Sequence, residues 1–324
     1  MKTLITGCAG FAGSHLADYL LGKGEEVIAL LGTSEDSANI KHIQKHLRIE
    51  SADLRDYDRV LEVARSTKPE RIYHLAAVSS PAESFDNLEL TYQVNFMGTM
   101  NLLSAWLRVG MDCRFLCVSS SQVYGPVPPE RQPFREDMEM HPVNPYAGSK
   151  AAAEILTLQC FQSYGLPIIR VRPFNHTGPR QSSNFVCSNF SRQVAEIDLG
   201  LRPPTILVGN IQVKRDFSDV RDIVCGYHDL LERGKPGEVY QLCSGHPVLI
   251  ATILQTVVSF SSKPIQISVE KSLFRSKEAT DVWGDYSKAR LAVGWEPRRE
   301  LTDTLHDLTL YWDARIRSAN EQES

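Results

Sequence analysis

Three glycines near the N-terminus separate an apolar run from an amphipathic stretch in MKTLITGCAGFAGSHLADYLL. Gly7, Gly10 and Gly13 have the spacing Gly-x-x-Gly-x-x-Gly, which lets the chain turn tightly and lets backbone N–H groups approach a diphosphate at the positive end of the next helix. Glycine loops also serve as plain turns, so the motif alone is a weak signal. Because this one opens a strand–helix alternation, it predicts a dinucleotide site.

Short apolar runs alternate with amphipathic stretches through the first half of the chain. The runs at 26–31, 71–75 and 114–119 are separated by helical patterns such as those at 57–66 and 91–109. This alternation implies βαβ units and a parallel sheet covered by helices on both faces. We therefore predict an α/β fold, a doubly wound parallel sheet of the Rossmann type with a smaller C-terminal α/β domain.

The pattern loosens after Phe174, where clusters of Gly and Pro become frequent. A length of 324 residues favours about two domains at roughly 150 residues each. We predict a dinucleotide-binding domain at 1–174, to which part of 214–242 returns. The remainder, 175–324, is expected mainly to bind the substrate.

Composition excludes several classes of protein. A net charge of −4 gives no general attraction to polyanions, which disfavours nucleic-acid binding. The seven cysteines are scattered and mostly lie in apolar runs, as expected of buried side chains in a reduced compartment, and they do not form a zinc-binding pattern. No apolar run is long enough to span a membrane and no signal sequence is evident, so we expect no membrane association, no metal and a cytoplasmic location.

The end of the second predicted strand bears on cofactor choice. Rossmann domains that bind NAD usually place an acidic residue there to bind the ribose hydroxyls, but here Gly32, Thr33 and Ser34 follow the strand. Two hydroxyls that could bond a 2′-phosphate favour NADPH, whereas the nearby Glu35 and Asp36 leave NADH open. Further along, Asp53 and Leu54 fit a contact to adenine, and for Asp53 a turn or helix cap is an equal alternative.

A candidate catalytic group lies in NPYAGSK, where Tyr146 and Lys150 are spaced i and i+4 and share one face of a helix. A neighbouring ammonium favours the phenolate and lowers a tyrosine pKa from about 10. Ser120, in the run Ser119–Ser121 that follows a predicted central strand, adds a hydroxyl. Together the three supply a polarised oxygen, a proton donor and a held cofactor, which carbonyl reduction needs.

This set of motifs resembles the extended short-chain dehydrogenase/reductase superfamily over nearly the whole chain. Besides the glycine loop, the matching motifs are HLAA at 74–77, NFMGT at 95–99, VYG at 123–125, NPYAGSK at 144–150, RPFN at 172–175 and RDF at 215–217. The resemblance implies that Ser120, Tyr146 and Lys150 are catalytic and that Asn95 is structural. It also implies a set of cofactor contacts, namely Gly7, Gly10, Phe11, Ala12, Gly13, Thr33, Asp53, Leu54, Leu75, Ala76, Ala77, Tyr146, Lys150 and Pro173.

Within the superfamily, Gln122 argues against one branch. The 4,6-dehydratases have a glutamate at the matching position as the base that removes a proton beside a carbonyl, and an amide cannot take up that proton. The segments HP at 141–142, RPFNHTGPRQ at 172–181 and CSG at 243–245 are instead similar to those of the GDP-4-keto-6-deoxy-D-mannose reductases. This resemblance implies substrate contacts from Ser79, Ser121, Gln122, Asn175, Asn184, Val186, Arg215, Arg275 and Glu278.

The resemblance implies an oxidoreductase that uses NADPH, or NADH, to reduce the 4-keto group of a nucleotide-linked 4-keto-6-deoxyhexose, giving GDP-D-rhamnose or its C4 epimer GDP-6-deoxy-D-talose. The alternatives are a 4-epimerase with tightly held NAD, a 4,6-dehydratase and a non-catalytic dinucleotide sensor. For Arg215, pairing with Asp216, Asp219 or Asp222 is the structural alternative to a substrate contact. A homodimer is implied through a four-helix bundle formed by 91–109 and 146–164.

Overall fold

The computed structural model describes residues 1–33, 36–270 and 281–323. Its strands are β1 (Lys2–Thr6), β2 (Glu26–Leu31), β3 (Arg48–Ser51), β4 (Arg71–His74), β5 (Arg114–Val118), β6 (Ile168–Pro173), β7 (Asn175–Thr177), β8 (Thr205–Val208), β9 (Lys214–Asp219), β10 (Val239–Leu242), β11 (Pro247–Leu249), β12 (Gln266–Val269) and β13 (Asp281–Val282). The α-helices are α1 (Phe11–Gly22), α2 (Tyr57–Thr67), α3 (Pro81–Asp86), α4 (Leu88–Tyr92), α5 (Gly98–Val109), α6 (Pro145–Tyr164), α7 (Val186–Asp198), α8 (Val220–Arg233), α9 (Ile250–Val258), α10 (Ser287–Val293) and α11 (Leu301–Glu323).

A seven-stranded sheet in the order β10-β6-β5-β4-β1-β2-β3 organises the molecule. Every pairing in it is parallel. The order reverses between β1 and β4, and ligands of open α/β sheets bind at such a switch point, outside the carboxyl ends of the strands. The predicted doubly wound α/β fold is confirmed.

Two apolar cores cover the two faces of this sheet, whose central strands are almost entirely buried. One core packs α1 and α8 against the sheet around Leu16, Tyr227 and Leu230. The other packs α2 and α5 around Leu61 and Trp106.

The second half of the chain builds a smaller layer beside the sheet. There β9 pairs with β7, β11 and β13, while β8 pairs with β12, and α7, α9 and α11 enclose a separate apolar core. Two elements from this half, α8 and β10, join the first layer, and both lie within the 214–242 segment. The domain limits at 174 and 175 stay a prediction.

No helix in the described ranges combines the length and the apolar character needed to cross a membrane.

Candidate active site

One cleft of about 1100 Å³ opens at the carboxyl ends of the parallel strands, between the sheet and the smaller layer. Its lining includes all the predicted site residues that the structure describes: Gly7, Gly10, Phe11, Ala12, Gly13, Thr33, Asp53, Leu54, Leu75, Ala76, Ala77, Ser79, Ser120, Ser121, Gln122, Tyr146, Lys150, Pro173, Asn175, Asn184, Val186 and Arg215. The predicted contacts Arg275 and Glu278 lie outside the described residues, as do Ser34 and Glu35.

The glycine loop forms a cradle that side chains would fill. A Cβ on Gly13 would come within 2.0 Å of the Gly7 carbonyl oxygen, and one on Gly7, whose φ is +68°, would come within 2.9 Å of the Ala76 backbone. These positions therefore require glycine. The N-cap of α1 is Gly10, which has no capping side chain, so the first backbone N–H groups of the helix face the cleft as an anion site. The cradle fits a dinucleotide diphosphate.

The part of the cleft that is predicted to hold the adenine end of the dinucleotide is lined by Thr33, Asp53, Leu54 and Arg55. The Asp53 carboxylate accepts from the backbone N–H and the guanidinium of Arg55, at 2.9 and 3.0 Å. These hydrogen bonds to Arg55 hold the pKa of Asp53 below its usual value. The N-cap of α2 is Asp56, so Asp53 forms a turn and is not a helix cap. Both the turn and the predicted adenine contact are compatible with this placement.

Three buried side chains meet where β5 ends and α6 begins. Ser120, Tyr146 and Lys150 are 7%, 8% and 6% exposed. The start of α6 is well defined by the sequence. The Asn144 side chain accepts from the backbone N–H of Ala147, and Pro145 occupies the first turn. All three line the same cleft, and Ser120 is close enough to Tyr146 to act on the pKa of its phenol, so the sequence-predicted group is assembled in space.

The predicted direction of the Tyr146 pKa is wrong for this structure. Burial raises that pKa, and the hydrogen bond with Ser120 opposes the rise. Burial also lowers the pKa of Lys150. The Lys150 ammonium donates to the carbonyl oxygen of Val118 at 2.7 Å, so it is anchored to β5 and desolvation of the phenol dominates.

Asn95 lies in a π-helical turn, Gln93–Met97, that leads into α5. Its side chain accepts from the backbone N–H of Val78 at 2.8 Å and donates to Val78 O at 3.1 Å and to Ser149 Oγ at 2.9 Å. Asn95 thus ties the loop that lines the cleft at Val78 and Ser79 to the helix of Tyr146. This supports the predicted structural role, and π-helical turns often occur at functional sites.

Gln122 is held in the short 3₁₀ turn Ser121–Tyr124. Its amide oxygen accepts from Asn144 Nδ2 at 3.2 Å. The turn is anchored from below, because Arg172 donates to the hydroxyl of Tyr124 at 2.7 Å and pairs with the buried Glu154 at 2.6 Å. Gln122, which the sequence predicts to replace the dehydratase base, is thus a hydrogen-bonded neutral amide.

The smaller layer contributes the other wall of the cleft. Asn175 donates to the Asp216 carbonyl oxygen at 3.2 Å, and Val186 begins α7. The three aspartates near Arg215 bond to other groups: Asp216 to Ser244 and Gly245, Asp219 to Arg221 and Thr304, and Asp222 to the backbone of Arg298 and Arg299. Arg215 lines this wall of the cleft, and its guanidinium donates to the carbonyl oxygen of Lys214 at 2.8 Å.

Comparison with known proteins is decisive for the family. A family model described as GDP-mannose 4,6 dehydratase matches residues 4–308. The chain belongs to the GDP-mannose 4,6-dehydratase family. The predicted resemblance is confirmed.

Relatives within and around the family differ in their named reactions. The GDP-6-deoxy-D-mannose reductase of Pseudomonas aeruginosa is 33% identical over 316 residues, which cover 98% of each chain. The GDP-mannose 4,6 dehydratase 2 of Arabidopsis thaliana is 32% identical over 91% of this chain and 82% of its own.

Two solved structures that are similar to this one also come from differently named proteins. RMD from P. aeruginosa, complexed with NADPH, has a TM-score of 0.84 and 32% identity, with 97% of this chain and 99% of that chain covered. The UDP-glucose 4-epimerase of Thermotoga maritima with UDP-glucose has a TM-score of 0.86 and 25% identity, with 98% and 100% covered.

In this member of the family, several residues in or beside the cleft were not predicted as site residues from the sequence. Arg180, at a φ of +74°, contacts His15 Nδ1 at 2.6 Å and Asp18 at 2.8 Å, which ties the loop after β7 to α1. His176 stacks on Phe11, with ring centroids 5.8 Å apart. Tyr227 of α8 lines the cleft from beneath the glycine loop. All three contacts join segments far apart in sequence.

Proposed function

We propose that this chain is an NADPH-dependent reductase that acts on the 4-keto group of GDP-4-keto-6-deoxy-D-mannose. The product is GDP-D-rhamnose or its C4 epimer, GDP-6-deoxy-D-talose. The observation that carries the proposal is the buried group of Ser120, Tyr146 and Lys150 beside a neutral Gln122. The P. aeruginosa GDP-6-deoxy-D-mannose reductase, matched over 98% of each chain, supports the same substrate, and the NADPH-bound RMD supports the cofactor.

The reaction needs a proton donor and a polarised carbonyl, and the chain provides both. When bound in the glycine cradle, NADPH supplies the hydride that the ketone carbon accepts. Tyr146 donates its phenolic proton to the ketone oxygen, and Ser120 donates a hydrogen bond to the same oxygen. Because the pKa of Tyr146 is raised by burial, the phenol carries its proton at neutral pH, and the hydrogen bond with Ser120 opposes the loss of acidity. Lys150 is placed to hold the nicotinamide ribose.

Gln122 limits the chemistry to reduction. A 4,6-dehydratase has to remove a proton beside the ketone and expel water from C6, which requires a base at this position. An amide offers a hydrogen-bond donor and acceptor but takes up no proton at ordinary pH. We therefore propose that Gln122 binds a sugar hydroxyl, that Asn175 and Arg215 bind the diphosphate or the sugar, and that Asn184 and Val186 also contact the substrate.

A 4-epimerase is the second candidate, because the T. maritima UDP-glucose 4-epimerase shares the fold over 98% of this chain. An epimerase reuses one NAD molecule through each cycle and releases none. Copurified NAD that does not exchange, with no consumption of added NADPH, would favour it.

The deciding experiment is incubation of the purified protein with GDP-4-keto-6-deoxy-D-mannose and either NADPH or NADH, with the product identified by NMR. We expect one NADPH oxidised for each keto sugar consumed, and a single configuration at C4. Preference for NADH would overturn the cofactor assignment alone. No oxidation of either cofactor, with the keto sugar unchanged, would overturn the proposed function.

We also propose a homodimer and a cytoplasmic location. Large apolar side chains are exposed along α3, α5 and α6, including Phe85 at 65%, Leu107 at 37% and Ile155 at 56%. Such a surface on adjacent helices supports pairing with a second copy through a four-helix bundle. All seven cysteines are free thiols, which supports a reduced compartment.

A further inference from the structure

The hydroxyl of Tyr227 is a buried polar group without a hydrogen-bond partner in the described part of the chain. The side chain is 0% exposed, yet it lines the cleft. Leaving a buried donor unpaired costs stability, and such groups in native proteins call for an explanation such as a ligand. The phenol therefore faces a place where an acceptor belongs.

The surroundings of Tyr227 locate that place. Its ring belongs to the core against which Phe11, Ala12 and Val118 pack, and these three residues lie in the glycine motif and at the end of β5. All three also line the cleft. Burial and, to a smaller degree, Tyr146 raise the pKa of Tyr227, so Tyr227 stays a proton-bearing donor.

The helix that bears Tyr227 cannot move away from the cleft. A Cβ on the preceding residue, Gly226, would come within 2.7 Å of Leu242 and 2.8 Å of Trp295, so α8 lies tightly on β10. Its start is capped by Asp219, which accepts from the backbone N–H of Arg221 at 2.7 Å. The backbone that bears Tyr227 is therefore held on the sheet before any ligand arrives.

We propose that Tyr227 is a cofactor-contacting residue whose hydroxyl donates a hydrogen bond to an oxygen in the nicotinamide half of the bound dinucleotide. The inference rests on the proposed function, because that function brings a dinucleotide into the cleft. Val118, which packs against the same core as Tyr227, anchors Lys150 through its carbonyl oxygen, and this position beside the proposed nicotinamide-ribose contact selects this half over the adenosine half.

The test is Tyr227→Phe, which removes only the oxygen atom, with the affinity for NADPH measured by direct titration without sugar. We expect the dissociation constant to rise about 3- to 10-fold, the range for one neutral hydrogen bond. The affinity for adenosine 2′,5′-bisphosphate, which lacks the whole nicotinamide half, should not change. Thermal unfolding of the unliganded variant should occur at the same temperature or higher, because no hydrogen bond within the chain is lost.

Tyr73→Phe is the matched control. The Tyr73 hydroxyl is also buried and has no partner among the described residues, and its ring belongs to the same core, but Tyr73 is not part of the cleft lining. We expect this variant to bind NADPH as the wild type does.

Three results would overturn the inference. These are a dissociation constant of Tyr227→Phe equal to that of the wild type, an equal loss of affinity for the truncated ligand, and an equal loss in Tyr73→Phe. Failure of the wild-type protein to bind any dinucleotide would overturn the proposed function together with it, and that outcome is distinct from the other three.

Discussion

At the scale of single residues, Gln122 contributes a hydrogen bond to the local fold and leaves the site without a base, and a glutamate would change only the second property. Its amide oxygen accepts from Asn144, and Asn144 in turn caps the helix of Tyr146 and Lys150. A carboxylate could accept the same hydrogen bond, so the local fold does not require an amide. What the amide removes is a base beside the ketone.

Gln122→Glu should therefore add a reaction without unfolding the site. We expect the variant to exchange the proton at C5 of the keto sugar with D₂O, an exchange that the wild type does not catalyse. Reduction should slow by about tenfold or more, because a nearby negative charge makes Tyr146 a weaker acid. NMR of the sugar in D₂O measures the exchange, and Gln122→Met, which has no base, is the control. Equal exchange in both variants would contradict this role.

Tyr146→Phe tests the proton donor. We expect NADPH oxidation with the keto sugar to fall by about 100-fold or more, in line with the loss of a general acid. NADPH binding should stay close to that of the wild type, because the ring is retained. Stopped assays and direct titration measure the two quantities. Tyr164→Phe, at the exposed C-terminal end of the same helix, should be fully active. Full activity of the Tyr146 variant would overturn the mechanism.

At the scale of elements, one hydrogen-bonded chain crosses the sheet beneath the site. Ala76 N–H donates to Thr6 Oγ1, which contacts His74 Nδ1 at 2.8 Å. On the other side His74 Nε2 contacts Thr99 Oγ1 at 2.8 Å, and Thr99 donates to the carbonyl oxygen of Asn95. Because Thr99 already donates to Asn95, His74 Nε2 has to bear the proton and Nδ1 has to accept. The neutral ring thus links β1 and β4 to the π-helical turn and α5.

The buried neutral histidines predict that the free energy of unfolding decreases in acid. Burial lowers the pKa of His74 to about 3 and that of His15 to about 4. An unfolded histidine has a pKa of about 6.5, so below that pH the unfolded chain binds protons that the folded chain does not. The free energy of unfolding should therefore decrease as the pH falls from about 6.5 towards 3, by up to about 1.4 kcal/mol per pH unit for each histidine.

Urea unfolding at a series of pH values measures this slope. His74→Gln should flatten it and also lower the stability at pH 7, because the glutamine cannot bridge both threonines as well. His141→Gln, at a residue exposed on a loop, serves as the control. An unchanged slope in His74→Gln would contradict the assignment of His74 as a buried neutral group.

At the scale of the whole molecule, contacts close in sequence could be predicted and distant ones could not. Gly13 approaches Gly7 within one loop, and Tyr146 and Lys150 share one face of one helix. Both features can therefore be predicted from the spacing of the residues. The hydrogen bond between Arg180 and His15 joins residues 165 positions apart. Tyr227 meets the cleft only because α8 returns to the sheet. No periodicity in the sequence encodes contacts of that kind.

The direction of the Tyr146 pKa was mispredicted for a related reason. The spacing i and i+4 places Lys150 on the same helical face, but it does not specify how deeply the phenol is buried. It also does not show that the ammonium is anchored to the Val118 carbonyl oxygen of β5. Desolvation depends on the whole surrounding structure, and here it outweighs the local effect.

The exposed apolar surface of α5 and α6 leads to a prediction about assembly. Ile155 is 56% exposed in the single chain, and in a two-fold dimer through this face the Ile155 side chains of both copies would be buried. Ile155→Glu would place two like charges in that interface, so we expect the dissociation constant of the dimer to rise by about 100-fold or more and the protein to become monomeric at micromolar concentration. Analytical ultracentrifugation measures the change. Leu291→Glu, at a residue 84% exposed on α10, should leave the oligomeric state of the wild type unchanged, and an unaltered dimer in the Ile155 variant would exclude this face as the interface.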